Sequence, residues 1–141
     1  MTGQKIVEVT ALSHPDRRAN LPDDTITILG RTEKDCHVIA RATREAPHAG
    51  NNLIVEGWEG TVTTSPLRWM KEHVVSVKTG SGTTEEKFPA SPAYALQVQA
   101  FEAELLRGEP SVLPDGEDAL HTVAVTEAAI RSILERRTVT V

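Results

Sequence analysis

The sequence predicts an α+β fold: an open, predominantly antiparallel β-sheet with two C-terminal helices packed on one face. Two observations carry this. From Gln4 to Lys78, short segments rich in Val, Ile and Thr alternate with brief turns of Gly, Pro and charged residues. Such closely spaced strands favour a meander, because a parallel βαβ unit needs a crossover of a dozen or more residues. From Ser91 onward the apolar period changes to that of a helix, twice over, before a short β-like tail. The length of 141 residues, 39% of them hydrophobic, suits one domain spanning residues 1–141.

The strands are expected in order. Gln4 to Leu12 forms the first, and the Pro- and charge-punctuated His14 to Asp23 is a loop. Thr25 to Leu29 is the second strand, Gly30 to Lys34 a hairpin turn, and Asp35 to Arg44 the third strand. In the third, Val38, Ala40 and Ala42 share one face and His37, Ile39 and Arg41 the other. After a loop over Glu45 to Asn52, strands follow at Leu53 to Gly57, Thr61 to Thr64, Leu67 to Lys71 and Val74 to Lys78. Thr79 to Glu86 reads as a flexible turn.

The first helix takes Ser91 as N-cap and Pro92 at its first position, where a missing N–H is no loss. Tyr94, Val98, Phe101 and Leu105 form its apolar stripe, and Gly108 stops it. The second helix takes Asp115 as N-cap, with Glu117 and Asp118 at the positive end of the helix dipole and Arg136 and Arg137 at the negative end. Leu120, Val123, Ala124, Ile130 and Leu134 are its expected buried stripe.

Bulk properties narrow the function. A net charge of −5, with no basic run among aromatics, argues against nucleic acid and against an anionic membrane surface. The single cysteine, Cys36, excludes an intrachain disulfide framework and suits a reducing compartment; it reads as a small hydrophobe in a strand. With no apolar leader and no run of ~20 apolar residues, a cytoplasmic protein is expected. His14, His37, His48, His73 and His121 show no metal-ligand spacing, and no Gly-x-Ser-x-Gly elbow suggests a hydrolase.

Tyr94-x-x-Gln97-x-x-x-Phe101, the loop with Gly108 and Pro110, and Gly116-Glu117-Asp118-Ala119-Leu120 opening a helix before a terminal strand resemble the end of the Gfo/Idh/MocA oxidoreductases. Asp24-Thr25-Ile26-Thr27-Ile28 and the stretch from Asn52 to Val62, with its Gly57-x-x-Gly60 turn, resemble strands of the same family's sheet. The resemblance implies the C-terminal sheet domain of an NAD(P)-dependent enzyme. The family's Rossmann domain, its Glu-Lys-Pro lysine and its Asp/His pair have no counterparts here. Gly80-Ser81-Gly82 lacks the third glycine and the strand–turn–helix context of a dinucleotide loop. Glu86-Lys87-Phe88-Pro89 echoes the lysine motif only with an inserted Phe.

The resemblance therefore implies a noncatalytic, substrate-side and oligomerisation subunit that binds no cofactor alone and meets NAD(P) only through a Rossmann-bearing partner. The alternative is a stand-alone binding or scaffold module that homodimerises through its open sheet face. A third reading, a non-redox enzyme using His48, Glu45 or His37 for proton transfer, lacks a convergent set of groups. By the resemblance, Arg44, His48 and Asn51 in or beside the loop after the third strand, and Tyr94 at a helix start, are the candidate contacts to a small polar or sugar-like ligand. Trp58 sits in a tight turn that its own subunit can hardly cover; with Trp69 it is the candidate interface aromatic.

Overall fold

The computed structural model describes residues 3–15, 24–46, 50–65, 71–110 and 113–141. The architecture is α+β, with every strand ladder antiparallel, but the single sheet expected from sequence is divided in two. The chain forms two compact units, Met1–Pro47 with Pro114–Val141, and His48–Leu113.

The first unit is a four-stranded sheet of β1 (Ile6–His14), β2 (Thr25–Thr32), β3 (His37–Thr43) and β8 (Val139–Thr140), ordered β3-β2-β1-β8. Helix α2 (Gly116–Glu135) packs on one face. Alternation along β1 sends Val9 and Ala11 to that face, where they meet Ala128, Ala129, Ile133 and Val139. Ile6, Ile26, Ile28, Val125 and Val141 complete the cluster. Asp115 caps α2 as expected: its side chain accepts from the Asp118 N–H at 2.9 Å, and Asp118 reaches back to the Asp115 N–H.

Two bonds tie α2 to β1. Ser132 is buried, and its hydroxyl accepts from the Ala11 N–H at 3.0 Å while donating to the Arg137 carbonyl at 2.6 Å. At the other end of the strand, the Ile6 N–H donates to His121 Nε2 at 3.1 Å. Buried polar backbone is thus satisfied by side chains where the two-residue β8 is too short to do it.

The face α2 buries is the opposite of the one its largest side chains suggest. Ala128, Ala129, Ser132 and Ile133 lie against the sheet, whereas Leu120, Val123 and Leu134 are exposed. Small residues let the helix axis approach the strands closely, so the helix turns its bulky aliphatic side outward. The β2–β3 turn also moves. Strand β2 runs on through Gly30 to Thr32, and the reversal falls at residues 33–36, with Asp35 in the left-handed conformation (φ 60°). Cys36 therefore lies in the turn and not in a strand.

The second unit holds the sheet β4 (Ile54–Gly57), β5 (Gly60–Thr64), β6 (His73–Thr79) and β7 (Gly82–Phe88), ordered as in sequence, and helix α1 (Ala93–Arg107). Strand β7 replaces the flexible turn expected over Thr79 to Glu86; Gly80 and Ser81 alone form the turn, with Thr79 paired to Gly82. The expected strand Leu67 to Lys71 lies outside the described residues apart from Lys71, which is not in a strand. Helix α1 begins one residue later than expected, with Pro92 as its N-cap, and ends at Gly108 (φ 66°), whose N–H returns to Glu104. Its expected buried stripe is not covered: Tyr94, Val98, Phe101 and Leu105 are exposed.

Candidate functional site

On the first unit the candidate surface is the sheet face turned away from α2. Register places Glu8, Arg31 and His37 in one row, Thr10, Leu29 and Ile39 in the next, and Leu12, Thr27 and Arg41 in a third. Leu29 and Ile39 are a direct cross-strand pair and Leu12 is diagonal to Leu29, so three exposed aliphatic groups adjoin. At one end Arg31 donates to Glu8 from Nε and to Asp35 from Nη1, both at 2.7 Å. The hydrogen bond from Arg31 holds the Glu8 carboxyl below its usual range, and the same bond with that to Asp35 pushes the guanidinium pKa up. A shallow hollow of about 220 Å³ lies here, lined in part by Glu8, Thr10, Leu29, Arg31 and His37. The arrangement is an aliphatic patch edged by fixed charges, with Arg31 paired locally to Glu8 and Asp35.

On the second unit the candidate is the corner at Trp58. Gly57 pairs with Gly60 across the two-residue turn that carries Trp58, whose side chain stands fully in solvent. Val55, Val62 and Val77 form a cross-strand row beside it. Together with Gly57, Trp58 and Gly60 they line a hollow of about 540 Å³. Gly60 is required here: a Cβ on it would stand 2.1 Å from the Lys78 carbonyl oxygen.

The residues singled out from sequence fall as follows. Arg44 follows β3; its Nη2 donates to Asp24 Oδ1 and its N–H to the Asp24 carbonyl, both at 2.8 Å, so an acidic partner already engages it. Asn51 is exposed ahead of β4. Tyr94, in the first turn of α1, is 68% exposed, so it does not anchor that helix to a core. Trp58 is exposed as the turn implied. His48 and Trp69 lie outside the described residues. Sequence reading did not single out the Leu12–Leu29–Ile39 patch, although the alternation Glu8, Thr10, Leu12 and His37, Ile39, Arg41 places those side chains on one face.

Two strings that could be mistaken for cofactor motifs lie in strands and a hairpin turn. Gly80-Ser81-Gly82 joins two antiparallel strands, with no helix N-terminus after it to present N–H groups to a pyrophosphate. Glu86 and Lys87 belong to edge strand β7. Among the described residues no three His, Cys, Asp or Glu side chains gather as metal ligands, and no helix is long and apolar enough to cross a membrane.

Two open antiparallel sheets with two helices give an α+β architecture. Residues 2–141 match the Gfo/Idh/MocA oxidoreductase family, C-terminal α/β domain, and the chain belongs to that family. It is 26% identical over 125 residues to inositol 2-dehydrogenase of Rhizobium meliloti, a match covering 84% of this chain and 37% of that protein. Its fold is similar to that of aldose-aldose oxidoreductase from Caulobacter crescentus, with a TM-score of 0.81 and 21% identity over 99% of this chain and 42% of that one. An oxidoreductase from Agrobacterium radiobacter, solved with NAD+, L-tartaric acid and magnesium, has a TM-score of 0.71 at 21% identity, over 96% of this chain and 43% of that one. The chain thus spans about two-fifths of the length of these relatives.

Proposed function

We propose that this chain is the noncatalytic, substrate-side and oligomerisation component of a Gfo/Idh/MocA-type NAD(P)-dependent oxidoreductase. It acts with a Rossmann-bearing polypeptide that supplies the nicotinamide and the reactive lysine. The observation that supports the reading is the agreement of residues 2–141 with the C-terminal domain of that family. Hydride transfer needs a nicotinamide held against the substrate carbon, and the described residues build no cradle for it. The names of two relatives, inositol dehydrogenase and aldose-aldose oxidoreductase, make a polyhydroxylated ligand the substrate class to test first. Arg44, His48, Asn51 and Tyr94 are the residues to test, each by itself, as contacts.

The exposed Leu12, Leu29 and Ile39 favour a second copy as a further partner, since contiguous apolar patches mark interaction surfaces. That is also the basis of the alternative, a stand-alone homodimeric module. Light scattering separates the two, on the purified chain alone and mixed with any Rossmann-type protein encoded beside it. A mixed complex, with NAD(P)H fluorescence enhanced only in the mixture, is the expected result. A homodimer that ignores that protein would leave the stand-alone module.

A further inference from the structure

The two hydrogen bonds that hold α2 to β1 differ in kind. The Ser132 hydroxyl, which accepts from the Ala11 N–H, does not titrate in the neutral or acid range. The other acceptor is His121 Nε2, 3.1 Å from the Ile6 nitrogen. An imidazole accepts only through a nitrogen that carries no proton, so the His121 ring in this bond is neutral and its proton is on Nδ1. The strand supplies the donor: the β1–β2 register shifts between Ile6 and Glu8, and at that irregularity the Ile6 N–H meets the helix. The bond pins a corner. The Lys5 carbonyl accepts from the Glu33 N–H at 3.1 Å and the Val7 carbonyl from the Val141 N–H at 3.0 Å, so three successive residues tie β1 to three other segments.

We infer that His121 is a pH-sensitive latch on this corner: neutral, it holds the start of β1 to α2, and protonated, it releases the strand. With both nitrogens protonated the ring has two donors and no acceptor, and the Ile6 N–H faces another N–H. The half-buried amide then loses its partner. Among the described residues, Glu117 precedes His121 by one helical turn, in the carboxylate-first order that favours a charged pair, and Asp118 is engaged in the cap with Asp115. On β1 the flanking charges are Lys5 and Glu8, the latter held by Arg31; Glu33 follows β2, and β8 brings no titratable side chain. Glu117 is thus the partner that a charged imidazole gains as it leaves Ile6. Ala128, Ala129 and Ile133 stay packed on the sheet and the Ser132 bond is indifferent to pH, so the opening is confined to the start of β1 and the first turns of α2.

The test is amide hydrogen exchange, read by NMR on the whole chain at about pH 7.5 and about pH 5.5, which bracket the range where imidazoles ordinarily titrate. The Ala11 amide, held by Ser132, is the internal reference. After correction for intrinsic exchange, protection of Ile6 relative to Ala11 should fall about tenfold at the lower pH. In His121→Gln the amide oxygen takes the place of Nε2 and accepts at both pH values, so the ratio should not change. A wild-type ratio that holds, or one that falls equally in the variant, would overturn the latch. The side-chain nitrogen shifts of His121 in the wild type decide the matter without any variant. At about pH 7.5 they should report the proton on Nδ1, and a proton on Nε2 would overturn the assignment.

Discussion

Gly60 is where the structure makes its sharpest demand on a single residue. It opens β5, pairs with Gly57 on one side and Thr79 on the other, and has no room for a side chain. A Cβ there would lie 2.1 Å from the Lys78 oxygen, 3.1 Å from the Lys78 carbonyl carbon and 3.2 Å from Thr79 Cγ2. A carbon–oxygen contact settles near 3.3 Å, so Gly60→Ala must part β5 and β6 by about 1.2 Å at that point. The obstacle is backbone within a ladder and cannot rotate away. Overpacking of this kind costs about 3 kcal/mol, which lowers the melting temperature by about 10 °C. Gly57→Ala is the matched reference, since its Cβ would meet nothing closer than the Gly60 oxygen at 3.9 Å. It should be neutral or stabilising by up to about 1 kcal/mol. Thermal melts followed by circular dichroism read both. If Gly60→Ala melted within about 2 °C of the wild type, or no lower than Gly57→Ala, the close approach of β5 to β6 would be refuted.

Two further outcomes follow from the first unit. Ser132→Ala leaves the buried Ala11 N–H without its acceptor and the Arg137 carbonyl without its donor, and should cost about 2 kcal/mol in denaturant titration. An unchanged midpoint would mean that the hydroxyl does not bridge helix and strand. Glu8, held below its ordinary value of 4.5 by Arg31, contributes stability above that value and loses it as pH falls through the depressed one. Glu8→Gln should therefore flatten the acid limb of the stability curve and leave a smaller difference from wild type at low pH than at neutral pH; a constant difference would sink the linkage.

Legibility in the sequence varied with the kind of signal. The Asp115 cap and the Gly57–Gly60 turn depend on a few adjacent residues, and both stand where the sequence puts them. Strand β7 was not legible because Thr83, Thr84, Glu85, Glu86 and Lys87 are exposed on both faces and show no apolar alternation. It is a strand through its pairing with β6. The buried face of α2 differs from the expected one for a related reason. Periodicity locates apolar stripes but does not say which of two meets the sheet, and close packing selected the small one. Gly30 reads as a turn residue, yet its absent side chain makes room for Ile6 Cγ2, 3.2 Å from where a Cβ would stand, while Asp35 makes the turn. Of the candidate ligand contacts, the loop could be bounded by composition, but the pairing of Arg44 with Asp24 depends on β2 and β3 lying side by side. The aliphatic patch on the open sheet face emerges only once three strands are set in register.

The bond between Ala11 and Ser132 spans 121 residues, and the same partnership of chain ends joins β1 to β8. During synthesis this sets a delay. At about 5–20 residues per second, on the order of ten seconds separates Ala11 from Ser132 on the ribosome. Throughout that interval the β1–β2–β3 hairpins can pair locally, but Val9 and Ala11 have no helix to receive them. A nascent sheet with one greasy side waits for its lid. The first unit therefore closes last, after the whole of the second has been made, and a chaperone that shields a short β-meander would be of most use to it in that window.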